Sequence, residues 1–333
     1  MKAYTILKYN KTDKLQLLEL PVPTIKDDEV LVEIYAASVN QLDSKIKAGE
    51  FKQILPYRLP LILGHDVAGK VTQVGSKVKK FKIDDEVYAK AADFHIGAFA
   101  EYISMNENVV ALKPKNITME QAASIPLVAL TSWQAFVERA QLKRGQKVFI
   151  QAGSGGVGTI AIQLAKHLGA KVATTTSSAN TEMVKNLGAD VIVDYKKEDF
   201  ENVLKDYDVV LNSQDTKTLE KSLRILKPNG KAISISGPPT PEFGEQIKAN
   251  LLMKTILKFI SAKIRKQAKK LDVDYSFLFM KADGNQLAEI TKLIEAGIIK
   301  PVIDKVFPFD QTNEALAYVE SGRAKGKVVI KVK

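Results

Sequence analysis

The 333-residue sequence contains no cysteine, only three histidines and a single tryptophan. The lack of cysteine excludes disulfides, cysteine nucleophiles and thiolate ligands to a metal. The histidines are scattered at positions 65, 95 and 167, so a zinc site would need carboxylates for most of its ligands, and we expect no metal. The sequence also has no apolar run of membrane-spanning length, and its first residues lack a signal-peptide core. These absences together favour a cytoplasmic protein.

The charge is strongly positive, at +11. Such an excess is compatible with anionic ligands or with nucleic acid. However, the lysines are spread through every segment, without the clustered arginine and aromatic residues of a nucleic-acid surface. We therefore interpret them as solvated lysines and expect no nucleic-acid partner.

The most informative segment is Lys147–Gly158, whose pattern predicts a strand, a tight glycine turn and a helix that opens at Gly156. Its glycines at 153, 155 and 158 fit the dinucleotide-binding spacing G-x-G-x-x-G. Such a turn lets the backbone approach a pyrophosphate, and the helix N-terminus offers free N–H groups to that anion. A glycine-rich turn without a ligand is the alternative.

The segments around this loop decide between the two interpretations. Strands are predicted at Lys147–Ala152, Lys171–Thr176, Val191–Val193, Asp208–Asn212 and Lys231–Ser236, with helical segments between them. This β-α-β series predicts an α/β fold with a doubly wound parallel sheet, in which a ligand lies beyond the carboxyl ends of the strands. The context favours a dinucleotide site.

The end of the second predicted strand bears on which dinucleotide is bound. NAD sites place an Asp or Glu there to bind the ribose 2′-hydroxyl. Here the strand ends in the hydroxyl run Thr174–Ser178, and the next acidic residue is Glu182. We therefore expect NADPH, because no carboxylate repels a 2′-phosphate. Alternatively, Thr and Ser merely suit a strand end and a helix N-cap.

The sequence on either side of this unit follows a different pattern. The N-terminal part is rich in short strands, which indicates a small β-barrel. After the nucleotide unit come a basic amphipathic segment at about Gln246–Lys270, an edge-strand candidate at Tyr275–Met280, a helix at about Asn313–Ser321 and a final strand at Lys327–Val332.

Nearly the whole chain resembles the zinc-independent quinone oxidoreductase and alkenal/enone oxidoreductase branch of the medium-chain dehydrogenase/reductase superfamily. The motifs that show this resemblance are Ala37–Asp43, Leu63–Gly69, Gly75–Phe81, Asp85–Tyr88, Ala122–Pro126, Ala152–Gly158, Leu187–Asp190 with Asp194-Tyr195, and Gly322–Lys327.

The resemblance implies a Rossmann unit inserted into a GroES-like β-barrel domain. It places the GroES-like domain at residues 1–122 plus 283–333 and the NADPH-binding domain at residues 123–282. It also implies an active site in the cleft between the domains, and a homodimer that pairs through Tyr275–Met280.

The zinc site of the superfamily is altered in this sequence. Zinc-dependent relatives use two cysteines and the His of a Gly-His-Glu motif; here the first cysteine position is Asn40, His65 is kept and Asp66 replaces Glu. No Asp partner for His65 is evident from the sequence, so we interpret it as a structural remnant. Without a Lewis acid, reduction of a polarised acceptor is favoured over alcohol oxidation.

The resemblance also implies roles for particular residues. Asn40 would orient the acceptor beside the nicotinamide. The residues implied to bind the cofactor are Thr131, Ser154, Gly155, Gly156, Val157, Ser177, Tyr195, Asn212, Ser236, Gly237, Phe279, Met280 and Lys327. Two positions depart from the family pattern: Asn180 stands where a Lys is frequent, and Ser213–Asp215 replaces small apolar residues.

These observations predict an NADPH-dependent enzyme that transfers a hydride to α,β-unsaturated carbonyls or quinones without zinc. The alternative is a non-catalytic NADPH-binding protein, acting as a redox sensor or binding RNA. A third hypothesis is association with a membrane surface through Ile247–Lys270. We prefer to interpret this segment as a helix that covers the cleft or packs on the sheet, and expect no membrane partner.

Overall fold

The computed structural model describes residues 1–333, which form two compact units. The first unit comprises Met1–Leu130 and Lys281–Lys333, and the second comprises Thr131–Met280. The domain limits expected from the sequence stay a prediction. No helix combines the length and the apolar character needed to span a bilayer.

The elements are numbered in chain order. The strands are β1 Lys2–Ile6, β2 Gln16–Glu19, β3 Glu29–Val39, β4 Leu61–Ile62, β5 Asp66–Val74, β6 Glu86–Lys90, β7 Tyr102–Asn106, β8 Val110–Leu112, β9 Lys147–Ile150, β10 Lys171–Thr176, β11 Val191–Asp194, β12 Tyr207–Asn212, β13 Leu226–Ser234, β14 Asp274–Phe277, β15 Ile303–Pro308 and β16 Lys327–Lys331. The α-helices are α1 Gln41–Lys47, α2 Met119–Ala123, α3 Pro126–Trp133, α4 Gly156–His167, α5 Thr181–Asn186, α6 Phe200–Val203, α7 Thr216–Arg224, α8 Pro241–Gln246, α9 Leu251–Ile260, α10 Ala262–Lys270, α11 Gly284–Glu295 and α12 Thr312–Glu320. Short 3₁₀ turns lie at Glu107–Val109, Ser178–Asn180 and Phe309–Gln311, and a π-helix at Gln134–Ala140.

The first unit is built on β3, an eleven-residue strand that is buried along most of its length. β3 pairs antiparallel with β5 on one side, and with β7 and then β16 on the other. The resulting seven-stranded sheet has the order β15-β16-β3-β5-β6-β8, with β7 beside β3, and a second sheet has the order β2-β1-β4. Val30, Val32 and Ile34, which alternate along β3, are almost fully buried and belong to the core of this unit.

The second unit is a six-stranded parallel sheet in the order β11-β10-β9-β12-β13-β14. Counted within the unit this is the order 3-2-1-4-5-6, which defines a Rossmann fold. Its apolar core includes Phe149, whose ring lies 4.7 Å from that of Phe200, together with Val210, Leu223 and Ile264. The predicted α/β fold with a doubly wound parallel sheet is therefore confirmed.

The amphipathic segment predicted as one helix at about Gln246–Lys270 in fact contains two helices, α9 and α10, after the last residue of α8. Lys248 adopts a left-handed backbone conformation after α8, with a φ of 52°. Asn250 then caps α9, and its side chain accepts a hydrogen bond from the N–H of Met253 at 2.8 Å. The prediction was wrong here because hydrophobic periodicity does not reveal a polar cap inside an apolar pattern.

Candidate active site

The glycine loop between β9 and α4 is shaped by close backbone packing. A Cβ atom at position 153 would lie 2.2 Å from Oγ1 of Thr174, and one at position 158 would lie 2.3 Å from the carbonyl oxygen of Ala152. Gly153 and Gly158 are therefore required by the fold itself. In contrast, a Cβ atom at Gly155 would meet only the Ala152 carbonyl oxygen, at 3.3 Å. The side of the loop at Gly155 is open.

The open side of the loop leads to the N-terminus of α4, a helix of twelve residues. Gly155 is its N-cap and offers no side chain to the first-turn N–H groups. Gly156 and Val157 follow and are only partly buried. Uncapped N–H groups at a helix N-terminus, beside a position without a Cβ, suit an anion such as a pyrophosphate. These residues fit the phosphates of a dinucleotide.

A cluster of hydroxyl and amide groups lies next to the loop, where β10 ends. Oγ1 of Thr176 donates to Oγ of Ser154 at 3.0 Å. Nδ2 of Asn180 donates to Oγ of Ser154 and to Oγ of Ser177, both at 3.4 Å. Tyr195 reaches the same edge of the sheet, because its N–H donates to the Thr176 carbonyl, and its side chain is 62% exposed. The structure therefore places Ser177 and Tyr195, the two residues predicted for the 2′-phosphate side, at the same edge as Ser154 of the predicted pyrophosphate loop.

The same edge contains a carboxylate that the sequence did not reveal. Asp194 is the last residue of β11 and lies opposite Thr176 in the parallel register. It accepts hydrogen bonds from Oγ of Ser178 and, at 3.1 Å, from the N–H of Ser178. The hydrogen bond from the Ser178 hydroxyl lowers the pKa of Asp194. The expectation that no carboxylate lies here was wrong, because it considered acidic residues along the chain and not on the neighbouring strand.

Asn212 lies at the centre of a buried polar network at the ends of β12 and β13. Its Oδ1 accepts from Oγ of Ser234 at 2.6 Å and from Oγ of Ser236 at 3.3 Å. Its Nδ2 donates to Oε1 of Gln151 at 2.7 Å. The N–H of Gly237 donates to Oγ of Ser234 at 2.7 Å. Because both ends of the Asn212 amide bond protein groups, this side chain fixes the edge on which Ser236 and Gly237 lie.

The remaining predicted cofactor residues of the second unit lie at its two chain ends. Thr131 is buried in α3. The ring of Phe279 packs 5.1 Å from that of Phe243, and its carbonyl accepts from Nε2 of Gln246 at 3.0 Å. Met280 follows and is half-buried. Contact of these residues with a cofactor stays a prediction.

In the first unit, Asn40 belongs to a buried charged cluster with Lys327 and Asp66. Nζ of Lys327 donates to Oδ1 of Asn40 at 2.5 Å, to the Val39 carbonyl at 3.2 Å and to Oδ2 of Asp66 at 3.4 Å. Nδ2 of Asn40 donates to the same Asp66 oxygen at 2.9 Å. The cluster thus fixes which way the Asn40 amide points.

The electrostatics of this cluster depend on its burial. Burial lowers the pKa of Lys327, while the nearby carboxylates of Asp66 and Asp43 act in the opposite direction. Asp66 also accepts from Oγ of Ser38 at 3.0 Å and from the N–H of Leu127 at 2.8 Å. Several donors therefore converge on a single buried carboxylate, which is how a protein stabilises a charge away from water.

His65 has an acidic partner that the sequence did not show. Its Nδ1 lies 2.6 Å from Oδ1 of Asp43, and both side chains are fully buried. Nε2 of His65 is buried without a hydrogen-bond partner in the protein. Asp43 also accepts from the N–H of Asn40 at 2.7 Å, which joins His65 to the cluster. The sequence did not reveal this partner, and the interpretation of His65 as a structural remnant stays a prediction.

The residues at the altered zinc position do not fit a zinc ion. No group of three or more His, Cys, Asp or Glu side chains in the structure could hold a metal. In addition, the Lys327 ammonium lies on Asn40 and Asp66, two residues of the motifs that bind zinc in the superfamily. A dication beside a buried ammonium would be repelled at low dielectric.

Known proteins share this architecture along the whole chain. The family model described as alcohol dehydrogenase GroES-like domain matches residues 26–115, and the one described as zinc-binding dehydrogenase matches residues 187–330. The 2-methylene-furan-3-one reductase of Solanum lycopersicum is 37% identical over an alignment of 342 positions, gaps included. The alignment covers 99% of this chain and 79% of that protein. The chloroplastic NADPH-dependent alkenal/one oxidoreductase of Arabidopsis thaliana is 36% identical with the same coverage.

The solved structures agree. The quinone oxidoreductase of Coxiella burnetii superposes with a TM-score of 0.87 at 29% identity, and the match covers 100% of this chain and 99% of that one. Fold and sequence together define a GroES-like and Rossmann oxidoreductase. The chain belongs to the quinone and enone oxidoreductases of the medium-chain dehydrogenase/reductase superfamily. The predicted family, fold and enzyme class are confirmed.

Proposed function

We propose that this protein is an NADPH-dependent reductase of α,β-unsaturated carbonyls, such as enals and enones, or of quinones. The observation that supports this most directly is the 36% identity, over 99% of the chain, to an NADPH-dependent alkenal/one oxidoreductase. Bound NADPH supplies a hydride for the electrophilic carbon of the acceptor. The open glycine loop suits binding of the cofactor, and the charged Asn40 cluster suits orientation of the acceptor.

The second unit binds the cofactor in this proposal. The first-turn N–H groups of Gly156 and Val157 bind the pyrophosphate. Gly155, whose own N–H donates to the Ala152 carbonyl, lets the anion approach because it has no side chain. Ser154 belongs to the same pyrophosphate loop. Ser177 and Tyr195 bind the 2′-phosphate, where Asn180 offers an amide instead of an ammonium. The remaining contacts are assigned to Thr131, Asn212, Ser236, Gly237, Phe279 and Met280.

The first unit orients the acceptor in this proposal. Asn40 is the orienting residue, and Lys327 and Asp66 hold its amide in one direction. Hydride addition to an enone leaves negative charge on oxygen, and a nearby ammonium lowers the free energy of such a charge. Lys327 therefore acts by holding the Asn40 amide and through the electrostatic field of its own ammonium. Solvent supplies the proton.

A homodimer is part of the same proposal. β14 is an edge strand that pairs only with β13, so its outer backbone groups are free for a second strand. Pairing across a two-fold axis is the usual closed arrangement for such an edge. A monomer mass at every concentration in sedimentation velocity would contradict it. The cytoplasmic location stays a prediction, and the Arabidopsis thaliana relative is described as chloroplastic.

The experiment is a steady-state screen of NADPH oxidation with enals, enones and quinones, repeated with NADH. We expect turnover with at least one of these acceptor classes, and a higher kcat/KM with NADPH than with NADH. NADPH binding should be measured in parallel by quenching of Trp133 fluorescence or by calorimetry. Tight NADPH binding without turnover of any acceptor would refute the enzyme and support the non-catalytic alternative.

A further inference from the structure

α9 presents its apolar side chains to solvent. Leu251, Leu252 and Phe259 are 81%, 70% and 76% exposed, and Ile256 and Ile260 are exposed as well. Leu257 is its only fully buried residue and packs on Gly244 of α8. A surface helix of a globular domain normally turns its apolar face inward and its polar face to water. The orientation of α9 is the reverse.

The exposed residues form one continuous face. With 100° of rotation per residue, the side chains of the five exposed apolar residues fall within about half of the helix circumference. The structure also shows that packing on the sheet is done by α10, through Ile264 and Ala268. Of the segment interpreted as a helix that covers the cleft or packs on the sheet, α10 packs on the sheet and α9 does not, while cover of the cleft stays a prediction.

The segment that carries this face is rich in basic residues, one of which, Lys263, forms an ion pair with Glu220 of α7. Ile247–Leu271 contains no Asp or Glu. Its basic residues are Lys248, Lys254, Lys258, Lys263, Arg265, Lys266, Lys269 and Lys270. In α10 the lysines are exposed while the apolar side chains face the core. An apolar face beside a purely basic helix is the composition of segments that bind anionic lipid surfaces.

We propose that α9 inserts its apolar face into the surface of an anionic bilayer, while the lysines of α10 bind lipid headgroups. Charge complementarity selects this occupant over a second copy of the chain. A two-fold symmetric contact through α9 would bring together two segments that each carry eight cationic residues and no acidic one, and of these Lys263 is paired with Glu220. This surface is independent of the proposed catalytic function, although a membrane is where lipophilic acceptors reside.

The test is co-sedimentation of the full-length protein with vesicles of phosphatidylcholine that contain about one third phosphatidylglycerol, and with pure phosphatidylcholine vesicles. We expect binding to the anionic vesicles that is at least about tenfold stronger and that weakens as salt is added. The double variant L252S/F259S should lose about tenfold in binding. I83S/L112S replaces two exposed apolar residues of the first unit and should bind like the wild type.

A second pair of variants separates charge from apolar insertion. K266E/K270E should abolish the preference for anionic vesicles over pure phosphatidylcholine vesicles. K82E/K185E makes the same change of charge at exposed lysines elsewhere and should retain a larger part of that preference. Equal binding by L252S/F259S and the wild type, or no binding to anionic vesicles, overturns the proposal. A change from dimer to monomer in L252S/F259S would also overturn it, because the face would then join two copies. NADPH oxidation in solution should be the same in all four variants, so failure of the membrane proposal is distinct from failure of the catalytic one.

Discussion

Nζ of Lys327 lies 2.5 Å from Oδ1 of Asn40, although 287 positions separate the two residues in the chain. The antiparallel register of β16 on β3 places Val328 opposite Val39 and so brings these neighbours together. Asp66 then receives hydrogen bonds from both side chains. An ammonium and an amide are thus held together beside a buried carboxylate in the first unit.

Removal of the buried cation should destabilise the fold. In Lys327→Met the carboxylates of Asp66 and Asp43 lose their nearby ammonium, and a broken buried ion pair costs about 3–5 kcal/mol. The free energy of unfolding, from urea denaturation, measures this. Lys331→Met, at an exposed position of the same strand, should change stability by less than about 0.5 kcal/mol. Adding Asp66→Asn to Lys327→Met should recover part of the loss, and equal stability of Lys327→Met and the wild type would contradict the account.

Removal of the orienting amide should affect turnover more than cofactor binding. Asn40→Ala is expected to lower kcat/KM for the acceptor by about 100-fold, since a misplaced reactant loses that much rate. The dissociation constant for NADPH should stay within a factor of about three, because the glycine loop is unchanged. Gln41→Ala, at the neighbouring exposed position, serves as the control. A parallel loss of NADPH affinity and kcat/KM would show that Asn40 does not act on the acceptor.

Much of the second unit could be predicted from the sequence because its signals are local. The glycine loop, the apolar strands and the helical spacing of α4 each lie within a dozen residues. Their alternation leaves one common sheet architecture. The separate start of α9 was not predicted, because Asn250 is one more polar position in the sequence pattern. Only the structure shows that its side chain caps α9 by accepting from the N–H of Met253.

The candidate sites were less predictable, because their contacts depend on register between distant strands. Nothing near His65 indicates Asp43 as its partner, and nothing near Ser178 indicates Asp194. The motif of Lys327 did not indicate that its ammonium lies on Asn40, and its expected contact with the cofactor stays a prediction. If β10 and β11 had been assumed to be parallel neighbours, their common direction would have predicted that Asp194 lies beside the end of β10.

The glycines of the loop should divide into two groups. Gly155→Ala adds a Cβ that meets only the Ala152 carbonyl oxygen, at 3.3 Å, so a shift of a few tenths of an ångström accommodates it and the unfolding midpoint should fall less than in Gly158→Ala. The added methyl group blocks the approach of a pyrophosphate, and NADPH affinity should fall by at least about tenfold, or about 1.4 kcal/mol. Gly158→Ala places its Cβ 2.3 Å from a backbone oxygen and should lower the midpoint more. Unchanged NADPH affinity in Gly155→Ala would refute this loop as the phosphate site.

The amide at position 180 should limit the preference for NADPH. Asn180→Lys brings a positive charge beside Ser154 and Ser177, where a 2′-phosphate is expected. We expect KM for NADPH to fall about tenfold while KM for NADH changes little, because only NADPH has the additional dianion. Asn186→Lys adds the same charge at the exposed end of α5 and controls for net charge. An equal fall in both KM values, or none, would place the 2′-phosphate elsewhere.

The hydrogen bond between Ser178 and Asp194 should make stability depend on pH. It lowers the pKa of Asp194 in the folded state. A carboxylate with a lowered folded-state pKa stabilises the fold above its unfolded-state pKa, and this contribution is lost as the pH falls through the folded-state pKa. Ser178→Ala should therefore reduce the free energy of unfolding more at about pH 6 than at about pH 3, and NMR titration should show the Asp194 pKa rising toward its ordinary value. Ser177→Ala, which makes no bond to Asp194, should show no such pH dependence. A difference between Ser178→Ala and the wild type that is constant across this pH range would mean that the hydroxyl acts through packing and not through the charge of Asp194.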